Sequence, residues 1–241
     1  MFQRTGAELS RYRSTTSILE VAVDKSIRDS ETGADGRITT DEIEDQLVTM
    51  VFVGHETTAA ALAFTWYLLG THLPIRDRFH EELETVLGGE PPSHEDLADL
   101  RFTDRILTEA IRLYPPVHTI PRKTKTEVEV GGFRIPEGHE IHLSIIHVHR
   151  DPQFYDRPLS FRPDRWTDKF EENLHDFAYA PFGGGRLTCI GRDFAFLEAK
   201  IVLAMIGQRF ELEWTENREP ELEPRVTTRT KEGIPMDIRR R

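Results

Sequence analysis

A mainly α fold with small β-sheets, an α+β chain, is what this sequence predicts. Three features carry the expectation. One long, largely apolar helical stretch covers 39–70, shorter helical stretches lie on both sides of the chain's middle, and brief alternating segments run between Thr126 and Ser144.

Residues 5–29 carry a weak helical period (Leu9, Tyr12, Ile18, Leu19, Val23, Ile27), and 1–38 reads as an N-terminal helical remnant ending in a polar loop around Gly33 and Gly36. Thr39-Thr40-Asp41-Glu42 fits a capping box, so a helix starts there. It continues to about Leu69, with Gly70 as its stop, over roughly 45 Å at the helical rise. Leu47 to Leu69 is apolar enough to span a bilayer, but its centre reads Gly54-His55-Glu56-Thr57-Thr58, and a Glu at mid-membrane is costly. The expectation is a buried central helix and no membrane span. Pro74 opens the next helix, which runs to about Leu87, and Gly88 to Pro92 is a loop. A short helix over 94–100 precedes one over 102–113, which ends before Pro115-Pro116. Thr126–Val130, Phe133–Ile135 and His139–Ser144 alternate like strands around Gly131-Gly132 and Pro136-Glu137-Gly138. Residues 150–188 read as mostly irregular, a last long helix covers about Gly191 to Phe210, and Arg225–Arg229 with Pro235–Ile238 reads as a hairpin. The terminal Arg239-Arg240-Arg241 reads as a solvated end.

A length of 241 residues makes one sizeable domain or part of a larger one. With 38% hydrophobic and 30% charged residues, the composition is that of a globular protein. The net charge of −11 argues against nucleic-acid binding, which rests on Lys and Arg at phosphates. Met1 to Ser17 holds Arg4, Arg11 and Arg13 with no apolar core, so no signal peptide is read and a cytoplasmic location is expected. The single cysteine excludes an internal disulfide and a Cys-rich zinc site.

That cysteine lies in Pro181-Phe182-Gly183-Gly184-Gly185-Arg186-Leu187-Thr188-Cys189-Ile190-Gly191. Successive glycines free the backbone to approach a flat ligand and to aim amide N–H groups at a sulfur. The helix expected from Gly191 brings its positive end near Cys189, which favours thiolate, a strong ligand for haem iron. The segment resembles the haem-binding loop of the cytochrome P450 family: Phe, two residues, Gly, one residue, Arg or His, one residue, Cys, one residue, Gly. Phe182, Gly185, Cys189 and Gly191 match, whereas Leu187 stands where the family has Arg or His, with Arg186 one place earlier.

The resemblance implies a cytochrome P450 fold, C-terminal portion only, with haem b (iron protoporphyrin IX) held by Cys189 as metal ligand. Phe182, Gly185, Arg186, Ile190 and Gly191 are then the surrounding loop contacts. Further segments match in the same order. Within Val53-Gly54-His55-Glu56-Thr57-Thr58, Thr57 can bond back to the carbonyl of Val53 and loosen the ladder. By resemblance, Glu56 and Thr57 form the family's acid–alcohol pair, which delivers protons during oxygen activation. A zinc-protease reading of His55-Glu56 fails, because Ala59 occupies the place of a second His. Glu109-Ala110-Ile111-Arg112 puts Glu109 and Arg112 on one helix face. With Arg165 of Phe161-Arg162-Pro163-Asp164-Arg165-Trp166, they resemble the buried network that supports the cysteine loop. Arg122, in Pro121-Arg122, matches a propionate-binding position. His147 and His149 could share a strand face and bind zinc, but Pro152 stands where that signature needs His.

The implied activity is insertion of one atom of O2 into an organic, apolar substrate. Electrons would come from a ferredoxin, flavodoxin or reductase. Two other readings stay open: an inactive or poorly folding remnant, because only about forty residues precede the oxygen-activating helix where the family has a long N-terminal half, and an isomerase or lyase acting on peroxides, against which the Glu56-Thr57 pair argues. The short N-terminus is expected to reflect a fragment, a mis-started frame or a degenerate gene.

Overall fold

The computed structural model describes residues 39–241, and the helical period at 5–29 lies outside them. The chain divides into two compact units, Met1–Val53 and Gly54–Arg241. Helix α1 (Thr40–Thr71) begins in the first and continues into the second. Its start is fixed by a capping box: the Thr39 N–H donates to Glu42 Oε2 at 2.7 Å, and the Glu42 N–H donates to Thr39 Oγ1 at 3.2 Å. In the first unit Val48, Met50, Val51 and Val53 are exposed, which corrects the expectation of a helix buried through its whole apolar length. The helix is long and apolar enough to cross a membrane by length and composition.

In the second unit the buried half of α1 (Ala61, Trp66, Tyr67, Leu68, Leu69) meets α2 (Leu73–Leu87), α3 (Asp96–Asp99), α4 (Arg101–Leu113) and α7 (Arg192–Gly207) in one apolar cluster. Gly70 does not stop α1, which runs one residue past it. A Cβ there would stand 3.0 Å from Trp214 N and 3.2 Å from Leu212 O, so glycine lets strand β5 (Phe210–Trp214) lie directly against the helix. The last long helix accordingly ends at Gly207, and Phe210 opens a strand instead of closing a helix. Helix α4 is capped from α2: Glu82 accepts the N–H groups of Phe102 (2.6 Å) and Thr103 (2.8 Å).

Four two-stranded antiparallel sheets sit around these helices in the described residues. Strand β1 (Thr119–Lys123), unread in the sequence because Pro121 interrupts it, pairs with β4 (Glu140–Ser144), with Arg122 opposite Ile141. Strands β2 (Val128–Val130) and β3 (Phe133–Ile135) form the expected hairpin. The C-terminal reading is corrected. Strand β6 (Leu222–Pro224) pairs with β7 (Thr228–Thr230), while β8 (Met236–Arg240) pairs with β5. Arg239 and Arg240 therefore belong to a strand, opposite Glu211 and Phe210. Helices α5 (Ile145–Val148) and α6 (Asp168–Asn173) are the remaining α-helices among the described residues. Because His147 lies in α5, His147 and His149 do not share a strand face. His147 Nδ1 instead sits 2.6 Å from Ser144 Oγ, and the His149 ring is fully buried.

Two buried histidines make the unit acid-sensitive. Burial pushes His80 down to about 4, with Arg241 and Arg76 adding to the shift against Glu211 and Asp77. Burial likewise lowers His149 to about 4. His80 Nε2 is buried without a hydrogen-bond partner, and His149 Nε2 already accepts the Ala180 N–H at 3.0 Å, so a second proton on that ring would face a donor instead of an acceptor. A folded pKa below the unfolded one means that the unfolded chain binds more protons in between. Their contribution is complete above about pH 6.5 and is lost as pH falls toward about 4. At pH 5 each is expected to cost about 2 kcal/mol. Urea unfolding at pH 7.5 and pH 5 measures this, and equal midpoints would contradict it.

Candidate functional site

The network under the cysteine loop starts at Glu109, fully buried in α4. Its carboxylate accepts five hydrogen bonds. Arg112 donates through Nε and Nη2, both at 2.8 Å, Arg165 Nε donates at 2.9 Å, Trp166 Nε1 at 2.8 Å, and the Arg162 backbone N–H at 3.0 Å. Arg112 spends its remaining nitrogen on the carbonyls of His149 (2.6 Å) and Pro158 (2.7 Å), and Arg165 Nη1 donates to the Asp156 carbonyl at 2.9 Å. One carboxylate thus organises two guanidiniums and an indole, and the excess positive charge is met by backbone oxygens. Trp166 is the member that sequence reasoning missed. Its signal was present, since a buried indole N–H needs an acceptor and Arg165 precedes it directly.

The network reaches the loop by two paths. His149, whose carbonyl takes Arg112, accepts the Ala180 N–H on Nε2 at 3.0 Å, which leaves Nδ1 to carry the proton of the neutral ring. Tyr155, also fully buried, donates from its hydroxyl to the Ala178 carbonyl at 2.9 Å. Ala178 and Ala180 lead straight into Pro181 and Phe182.

Inside the loop, Gly183 and Gly185 have φ of 75° and 63°, values that favour glycine. The Cys189 N–H donates to the Phe182 carbonyl at 2.9 Å and closes the loop on itself. Gly185–Leu187 forms a single 3₁₀ turn, and α7 begins at Arg192, directly after Gly191. Cys189 is exposed, as are Arg186, Leu187 and Ile190, the last at 90%. Arg122, on β1, is exposed and donates from Nη1 to the Pro121 carbonyl at 2.8 Å.

Glu56 and Thr57 lie on α1. Thr227 Oγ1 donates to Glu56 Oε1, as does Arg229 Nε (2.9 Å), and Arg229 Nη2 makes an ion-pair contact at 2.6 Å. The Thr227 hydrogen bond, followed by the Arg229 pair, holds the Glu56 carboxyl below the usual carboxylate range. Sequence reasoning did not anticipate either partner, because both are remote in the chain. A 590 Å³ cavity lies alongside, lined by His55, Glu56 and Arg229 at its polar wall and by Ala59, Ala63, Phe64 and Leu212 among its apolar residues.

The fold is that of cytochrome P450 proteins. A crystal structure of a cytochrome P450 (CYP102L1) superposes with a TM-score of 0.78 at 26% identity, over 88% of this chain and 49% of that one. The cytochrome P450 family profile matches residues 2–235, and the chain belongs to that family. It is 40% identical over 185 residues to cyclooctatin synthase of Streptomyces melanosporofaciens, covering 77% of this chain and 40% of the relative. It is also 40% identical over 191 residues to pentalenene oxygenase of Streptomyces avermitilis, covering 79% and 41%. The chain therefore spans about two fifths of the length of these curated relatives.

The family implies a haem, and the loop's residues fit one. A single soft sulfur donor stands exposed, flanked by exposed apolar Leu187 and Ile190 suited to a flat apolar ring. Gly191, whose Cβ would sit 3.8 Å from Sγ, adds no side chain beside the donor.

Proposed function

We propose that the protein to which this chain belongs is a haem-dependent monooxygenase that inserts one oxygen atom from O2 into an organic, apolar substrate. The observation that carries the reading is the exposed Cys189 thiol, on a loop closed by its own N–H and tied through Ala180 and His149 to the buried Glu109 network. The names of two relatives, pentalenene oxygenase and cyclooctat-9-en-7-ol 5-monooxygenase, support oxygen insertion as the reaction class.

In this reading Cys189 Sγ would hold the iron of protoporphyrin IX, haem b, which would supply oxygen activation when bound. Phe182, Gly185, Ile190 and Gly191 form the loop surface against it. The guanidiniums of Arg122 and Arg186 serve as partners for propionate carboxylates, and a bidentate fork suits that task. Thr57 carries a proton on its hydroxyl, and Glu56 replenishes it from solvent. Glu109, Arg112 and Arg165 take no part in the chemistry and hold the loop in place. Electrons come from a ferredoxin, flavodoxin or reductase. The location is cytoplasmic, with α1 serving as a core helix, a role supported by the burial of Phe64 to Leu69.

A second reading is a remnant that binds haem without turnover or folds poorly. It is favoured by exposed apolar side chains such as Val51, at 74%. One measurement separates the two: the reduced, CO-bound absorption spectrum of the purified chain after haem addition. A strongly red-shifted Soret band supports the first reading, and absence of haem uptake supports the second. In the full-length enzyme, Thr57→Ala is expected to divert O2 consumption into hydrogen peroxide release, and unchanged coupling would remove Thr57 from the mechanism.

A further inference from the structure

Two hydrogen bonds and an ion-pair contact converge on Glu56 Oε1 from the β6–β7 hairpin: Thr227 Oγ1 and Arg229 Nε donate, and Arg229 Nη2 stands 2.6 Å away. The hairpin does not depend on Glu56 for its position. The Thr228 N–H donates to the Pro116 carbonyl at 2.8 Å, and Thr228 Oγ1 donates to the Pro115 carbonyl at 2.7 Å, which ties the strand to the segment that follows α4. Thr227 and Thr228 are buried, whereas Arg229 reaches out half-exposed. The hairpin is therefore the fixed partner and the glutamate the held one. Neighbouring residues on a helix project about 100° apart, so the face on which Glu56 meets the hairpin is not the face that Thr57 presents.

We propose that Thr227 and Arg229 are positioning residues that hold the Glu56 carboxylate on the hairpin side of α1 and so govern its availability as the proton source for Thr57. This rests on the reading of Glu56 and Thr57 as a proton-delivering pair. The proton moves from solvent to the Glu56 carboxylate and from its carboxyl to the Thr57 hydroxyl, with no change of oxidation state. His55, Glu56 and Arg229 are the titratable groups on the adjoining cavity wall, and His55 adds a small favourable charge to the ionised glutamate.

The test is a pH titration of Glu56, followed by carbon-13 NMR of the glutamate-labelled 241-residue chain, with Glu56→Gln assigning the signal. Wild type is expected to titrate below the ordinary carboxylate value. Arg229→Ala should move it upward, Arg229→Lys should restore part of the shift, and Thr227→Val should move it in the same direction as Arg229→Ala. Arg225→Ala, on the same hairpin but paired with Glu223, should leave it in place. Circular dichroism checks that each variant is folded, and if Arg229→Ala unfolds, Arg229→Lys and Thr227→Val carry the test. A Glu56 titration that does not respond to Arg229 and Thr227, or that responds equally to Arg225→Ala, overturns the proposal. This readout needs no haem, so it fails independently of the CO spectrum and of the Thr57→Ala coupling ratio.

Discussion

Replacing Cys189 with Ser is expected to abolish the red-shifted Soret band of the reduced, CO-bound chain. Serine keeps nearly the same volume, and the backbone hydrogen bond from residue 189 to the Phe182 carbonyl survives the change. The 3₁₀ turn and the glycines of positive φ are untouched as well, so the loop has no steric reason to rearrange. What disappears is the sulfur, and a hydroxyl does not supply the electron-rich ligation that a thiolate gives. The effect should therefore be all or none in the spectrum, with little change in the unfolding midpoint. An unchanged band in Cys189→Ser would sink the ligand assignment. The chain has no other cysteine that could take over, which makes the result unambiguous.

The features legible in the sequence were those written in local pattern. The capping box at Thr39 and Glu42 fixed the start of α1, because both partners lie within one turn. Pro74 marked the start of α2, and Gly131-Gly132 marked the β2–β3 turn. The cysteine loop was legible through its glycines and spacing. What escaped was set by long-range contact. Gly70 carries the helix-stop signal of a glycine after an apolar run, yet it answers to β5, more than a hundred residues on. The pairing of β8 with β5, and not with the segment just before it, is likewise a contact between residues remote in the chain. Arg229 and Thr227 could not be linked to Glu56 by any local rule, since partners more than 170 residues apart leave no periodic trace. In the Glu109 network, the helix spacing pointed to Arg112 and the resemblance to Arg165. Burial, which turns a weak surface pair into a structural centre, showed only in three dimensions.

Burial also sets the second large expected effect, that of Glu109→Gln. The substitution retains the side chain's shape and removes one negative charge. It also replaces an acceptor oxygen with an NH2 group facing donors. Five donors converge on the carboxylate, so at least two would meet a nitrogen that cannot accept from them. Arg112 and Arg165 would then be left with positive charge that is no longer neutralised, and Arg112 is fully buried. The expected loss is on the order of 3–5 kcal/mol, the cost of breaking a buried pair from one side. Domain stabilities are about 5–15 kcal/mol, so the variant should be close to unfolding at moderate urea. Arg78→Ala is the contrasting case. Arg78 and Asp164 form a bidentate pair at 2.7 and 2.9 Å, as well shaped as those at Glu109, but with side chains 49% and 62% exposed. Water solvates what remains after that truncation, and the expected cost is below about 1 kcal/mol. Equilibrium urea unfolding of the two variants compares them directly. Similar small losses would mean that the Glu109 cluster contributes no more than a surface pair. A large loss for Glu109→Gln alone, accompanied by weaker haem uptake, would tie the stability of the buried carboxylate to the position of the loop that bears Cys189.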